Sequence, residues 1–183
     1  MIAWKIGLAL SLAFTLTGPV SAADPSFDRV LSGDYREMLL KAKHAYGGKH
    51  YDEAFHAFQR TACGGDKESQ SALGRMYLLG QGVTRDDLTG YAWLKVAAEV
   101  RQRGYRTIVE KMEQSMTPEQ KRLAEPEATR LVELYGLRST KMSCNLSATQ
   151  GGHILDSVVC TPQDDGPNLL LKRCVAETPS TGH

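Results

Sequence analysis

From residue 34 to residue 136 the apolar side chains recur with the 3.6-residue period of amphipathic helices. Tyr35, Met38, Leu39, Ala42 and Tyr46 form one stripe, with Asp34 placed to cap its start and Gly47–Gly48 to stop it through a left-handed glycine. A second stripe runs through Tyr51, Ala54, Phe55, Phe58 and Ala62 and closes at Gly64–Gly65. A third uses Ser69, Ala72, Leu73, Met76 and Tyr77 and ends in Gly80–Gln81–Gly82. A fourth uses Leu88, Tyr91, Leu94 and Ala98, with Asp86 as its N-cap. Tyr105, Ile108, Val109 and Met112 make a fifth. Thr117-Pro118-Glu119-Gln120 then combines an N-cap, a first-turn proline and a capping-box glutamine. That last segment continues through Leu131, Val132, Leu134 and Tyr135 to Gly136, with Pro126 expected to break or kink it.

Short helices with one apolar stripe each, separated by glycine stops, predict antiparallel pairs that must stack to bury their faces. The second and fourth stripes agree in register: Ala54 aligns with Gly90, and Thr61–Ala62 with Ala97–Ala98. Paired small residues near a helix end admit a close neighbour, while the tyrosines and Trp93 fill wider gaps. On these residues the chain resembles a known family. Ala72-Leu73-Gly74, Tyr77, Gly80-Gln81-Gly82-Val83, Asp86, Trp93 and Ala97-Ala98 are similar to one Sel1-like repeat, a relative of the tetratricopeptide repeat. Ala54, Ala62 and Gly65-Asp66 resemble the tail of a preceding degenerate unit, and Tyr46-Gly47 with Tyr51-Asp52-Glu53-Ala54 is more tetratricopeptide-like. Two departures stand out. Gly90 occupies a position where the family usually has alanine, and three extra residues separate Ala98 from Gly104. The start Met116-Thr117-Pro118-Glu119-Gln120 resembles the closing helix that follows bacterial Sel1-like arrays.

Beyond residue 136 the alphabet changes. Ile154 to Thr161 and Leu169 to Val175 read as β-prone runs, with turns at Gly151–Gly152 and from Pro162 to Pro167. A patch of two or three strands is marginal alone. The expected architecture is therefore mostly α. A short α-solenoid of stacked Sel1/tetratricopeptide-like hairpins covers residues 34–136, and a Cys-containing, β-hairpin-like tail covers residues 137–183.

The N-terminus bears on compartment. Lys5 precedes an uncharged run from Ile6 that is rich in leucine, Pro19 breaks it, and Val20-Ser21-Ala22 supplies small residues for a peptidase. This is the build of a secretory signal peptide over residues 1–22, cleaved near Ala22, with no membrane insertion afterwards and a periplasmic or secreted product. In an exported chain the four cysteines, Cys63, Cys144, Cys160 and Cys174, read first as two disulfides. Three connectivities are possible, and Cys144–Cys160 with Cys63–Cys174 is the favoured one. Since three of the four lie in the tail, any complete pairing staples it to the array.

Composition narrows function mainly by exclusion. Of 22 basic and 21 acidic residues, Lys5 lies in the leader, leaving the rest of the chain neutral. Neutrality argues against a nucleic-acid partner. There is no G-x-S-x-G, no H-E-x-x-H and no Walker loop, and the cysteine spacings match no compact metal pattern despite His153 between Cys144 and Cys160. His44, His50 and His56 recur at a spacing that puts no two together on a helix face, and Asp164–Asp165 reads as a turn. No catalytic residue, cofactor or metal is expected. The resemblance implies a non-catalytic module that binds a protein or peptide in the cell envelope. It also brings two alternatives: a weak penicillin-binding or β-lactamase-type hydrolase of the cysteine-rich Sel1-like kind, or a structural envelope protein without a fixed ligand. S-x-x-K and K-T-G, the serine machinery of such hydrolases, are absent from the sequence.

Overall fold

The computed structural model describes residues 26–147, 157–165 and 167–175. The signal-peptide segment, His153, and the Gly151–Gly152 turn with the start of the run at Ile154 all lie outside them.

Six helices follow the sequence stripes: α1 (Ser32–Gly47), α2 (Tyr51–Cys63), α3 (Lys67–Leu79), α4 (Asp87–Ala97), α5 (Arg103–Ser115) and α6 (Pro118–Tyr135). α1 packs on α2, α2 on α3 and α3 on α4, while α4 also supports both α5 and α6. Local chemistry explains most boundaries. Asp86 accepts from the backbone N–H groups of Leu88 and Thr89. Gln102 caps α5 by accepting from Tyr105 N at 2.7 Å. At the head of α6 the capping box is complete: Thr117 Oγ1 accepts from Gln120 N, and Gln120 Oε1 accepts from Thr117 N.

Three local expectations are corrected. Asp34 does not cap α1; the helix begins earlier, with Leu31 as an N-cap that makes no side-chain bond, and Asp34 sits in the first turn. The left-handed residue after α1 is Lys49, at φ 63°, while Gly48 stays right-handed. α6 runs unbroken through Pro126. That proline is exposed, so the carbonyl it leaves unbonded can face water, and Ala124, Ala128, Leu131 and Tyr135 hold the buried face on either side of it.

The main core gathers the inner faces of these helices around Phe55, Phe58, Leu73, Met76, Trp93 and Leu94. Met76 and Leu94 are fully buried, and each such side chain contributes about 1.5–3 kcal/mol relative to exposure. α3 and α4 approach most closely where Gly74 faces Gly90. A Cβ on Gly74 would lie 2.8 Å from the Gly90 carbonyl oxygen, and one on Gly90 would lie 2.9 Å from that of Gly74. The glycine that departs from the family pattern is thus a packing contact.

Near its end the chain forms a short helix α7 (Leu137–Thr140) and strands β2 (Ser143–Ser147), β3 (Ser157–Thr161), β4 (Asp164–Asp165) and β5 (Asn168–Lys172). β2 and β3 form an antiparallel hairpin in which Cys144 stands opposite Cys160, and the two are bonded. β5 does not join that hairpin. It pairs antiparallel with β1 (Phe27–Leu31), a strand that precedes α1, and on its other side with β4. Leu169 and Leu171 on β5 meet Tyr35 on α1 in a small second core. The second disulfide, Cys63–Cys174, ties the segment after β5 to the end of α2, with Cα atoms 5.1 Å apart.

Candidate interaction surface

The residues of the repeat motif lie at turns, helix caps and buried helix contacts. Gly80 caps α3 at φ 64°, and Gly82, at φ 69°, brings the turn so close to the backbone of Tyr51 that no side chain fits there. Tyr77 meets Phe55 edge-on at 5.4 Å, and Trp93 stacks on Tyr135 at 5.2 Å. Leu73, Gly74, Trp93 and Ala97 are buried, and Ala98 is the half-buried C-cap of α4. Together they set the spacing between hairpins and leave the chemistry of the surface to other positions.

Among the described residues, a recess of mixed polarity lies at the edge where the turns are. A groove of about 330 Å³ opens between the α3–α4 turn and the α5–α6 junction, lined by Leu78, Leu88, Met112 and Met116 and rimmed by Arg85, Asp87, Ser115 and Gln120. Arg85 holds Asp87 through two bonds of 2.8 and 3.0 Å, so the rim's charges neutralise each other. Arg85, Asp87 and Leu88 also line a shallower depression that reaches Val83 and Tyr77. Leu88 is 37% exposed and Leu79, at the end of α3, 63%. The sequence stripes pointed to Leu88 and Met112 as inward residues. Leu78 and Met116 were missed, because nothing in a single helix's periodicity reports a gap between two hairpins.

On the opposite edge lies a buried polar junction that sequence reasoning also missed. The Lys67 side chain is fully buried, and its Nζ donates to Glu99 Oε2 at 2.7 Å, to Gln70 Oε1 at 3.0 Å and to the Val96 carbonyl at 3.0 Å. Burial pulls the Lys67 pKa below the usual lysine range, against the opposing pull of Glu99. Gln70 Nε2 donates to the carbonyls of Ala62 and Tyr135, both at 2.9 Å, and Leu137 N donates to Glu99 Oε2. Next to it, Asp66 accepts from the backbone N and hydroxyl of Ser69 and is held above the usual carboxylate range by burial, with the Ser69 bonds opposing. These groups fasten the ends of α2, α4 and α6 to the start of α3. Of these side chains all but Glu99 are enclosed, so they read as structure.

A third cluster joins α4, α5 and α6. Tyr91 Oη donates to Glu113 at 2.9 Å and Glu125 at 3.3 Å, and Lys95 Nζ lies 3.1 Å from Glu113. Burial and then Glu113 push the Tyr91 phenol well above its ordinary value, so it remains a hydrogen-bond donor. His44, His50 and His56 are exposed. Among the described residues, no group of three His, Cys, Asp or Glu side chains is placed to hold a metal ion, and no helix is long and apolar enough to cross a membrane.

No protein-family profile matches the chain. It is 30% identical over 99 residues to an exopolysaccharide production negative regulator of Rhizobium meliloti, an alignment that covers 54% of this chain and 36% of that protein. It is 29% identical, over the same shares, to the exopolysaccharide production negative regulator of Rhizobium leguminosarum bv. viciae. The chain therefore spans about a third of the length of these relatives. Among solved structures it resembles a protective antigen of uropathogenic Escherichia coli with an SLR (Sel1-like repeat) fold. The TM-score is 0.52 at 23% identity, over 66% of this chain and 28% of the antigen. Stacked hairpins, glycine turns and this likeness agree: the chain has the Sel1-like repeat fold.

Proposed function

We propose that this protein is a non-catalytic repeat module of the cell envelope that regulates a partner by binding it, with the Leu78–Leu88–Met112–Met116 groove as the contact surface. The observation that carries this reading is the groove itself, a recess at the turn edge of the array where two leucines and two methionines lie beside a self-neutralised ion pair. Such a recess accepts an apolar side chain from a protein segment, and flexible methionines adapt to its shape. The relatives named as negative regulators of exopolysaccharide production support a regulatory role over a metabolic one. Two disulfides and the leader-like N-terminus support an oxidising, extracytoplasmic setting.

Photo-crosslinking in the native host tests this. A benzoylphenylalanine at position 88 should trap one discrete envelope protein, whereas the same residue at the exposed position 133 on α6 should not. Leu88→Asp should weaken the capture made by a second crosslinker at position 79 by about tenfold, the effect of losing an apolar anchor of about 1.5 kcal/mol. Equal capture from positions 88 and 133, or none from 88, refutes the reading.

A further inference from the structure

Two of the contacts that fasten Cys174 and Val175, after β5, to the array share one circuit. Cys174 is bonded to Cys63 at the end of α2, and the next backbone N–H, that of Val175, donates to Tyr135 Oη at 2.9 Å. The Tyr135 ring lies stacked on Trp93. Its carbonyl accepts from Gln70 Nε2, which also donates to the carbonyl of Ala62, the neighbour of Cys63. Disulfide, Tyr135, Gln70 and Ala62 thus close a ring that passes through the buried junction. The ties upstream of Cys174 are independent of that ring: the β1–β5 ladder, Arg60 donating to the Lys172 carbonyl, and Asp28 paired with both Arg60 and Arg173. The other disulfide spans the β2–β3 hairpin.

We propose that Cys63–Cys174 is a thiol-responsive clasp: its reduction undocks Cys174 and Val175 and is felt at Trp93 through Tyr135, while the helices stay folded. Cys63 is 2% exposed and Cys174 half-buried, which directs attack to the Cys174 sulfur. The thiolate of a dithiol reductant bonds to Cys174 Sγ and breaks the Sγ–Sγ bond, and Cys63 leaves as a thiolate that takes a proton from water. The reductant's second thiol then closes on its first sulfur and releases Cys174 as a thiol. Two electrons and two protons reach the protein, and the reductant becomes a cyclic disulfide. Without the cross-link, Val175 is left with its half-buried bond to Tyr135, which opens locally, while five ladder pairs and the bond from Arg173 N to the Ser26 carbonyl keep β5 in place.

The test uses the full chain with Trp4→Phe, so that Trp93 is the remaining indole. On adding a dithiol, tryptophan emission should shift and tryptic cleavage after Arg173 should accelerate by about tenfold or more, with helical circular dichroism retained and both effects reversed on reoxidation. C144A/C160A should keep the full response. C63A/C174A should hold the released emission and cleavage rate under both conditions. Unchanged emission and cleavage, loss of helical signal on reduction, or a response that vanishes in C144A/C160A overturns the proposal.

Discussion

Lys67 keeps an amine in the interior only because three acceptors, one of them a carboxylate, surround it. The two partners of its ion pair are buried unequally: Lys67 is fully enclosed, whereas the Glu99 side chain is 26% exposed. Removing the carboxylate charge strands a buried cation, while removing the amine leaves a carboxylate that water can reach. Glu99→Gln should therefore cost about 3 kcal/mol and Lys67→Met only about 1 kcal/mol, an ordering that urea unfolding of the two variants will read. Asp66 makes a different forecast. Burial holds its folded-state pKa above the unfolded value, so the folded chain binds the extra proton. Its contribution is fully present below about pH 4 and is lost as pH rises through the raised pKa. Asp66→Asn retains an N-cap acceptor and should remove this fall, flattening the urea midpoint between pH 4 and 8. None of these roles was legible in the sequence. A lysine and a glutamine in a helix's first turn look like surface until the neighbouring helix ends enclose them.

The helices themselves were legible, because each carries an apolar stripe and stops at turn chemistry, and the capping box before α6 marked its start to the residue. What the stripes could not supply was partner geometry. α3 is buried on nearly every side, so its polar Ser69, Gln70 and Ser71 are as enclosed as Leu73. The break expected at Pro126 does not occur, because the proline takes the exposed face of α6. Gly90 illustrates the gain from seeing both helices. An alanine there would satisfy the family pattern and raise helix propensity. It would also set a Cβ 2.8 Å from Leu78 and 2.9 Å from the Gly74 carbonyl, where backbone cannot yield. Gly90→Ala should destabilise by about 1–3 kcal/mol, measured by thermal or urea melting, and net stabilisation would show that the helices can part without loss. Thr117→Ala should cost about 1 kcal/mol through the lost cap of α6.

In the whole molecule, the tail is joined to the array by strand pairing, by Leu171 against the loop at Gly64 and by a disulfide between residues 111 apart. Constraining so long a segment in the unfolded chain should be worth about 4–5 kcal/mol. C63A/C174A should lose that amount in urea unfolding, and C144A/C160A, which closes a loop of 16, about 3 kcal/mol. The sequence announced the tail's strand character and its cysteines, but it did not mark β1 as a strand. Five residues with one arginine and one aspartate give no sign of a partner that follows the whole array in the sequence. That pairing has a consequence for biogenesis. Neighbouring hairpins can assemble as soon as they leave the ribosome or the export channel, since their contacts are close along the chain. The seam between β1 and β5 must wait for residue 168, so a nascent or truncated chain carries an open strand edge throughout synthesis, a place where a chaperone or a second nascent chain can dock.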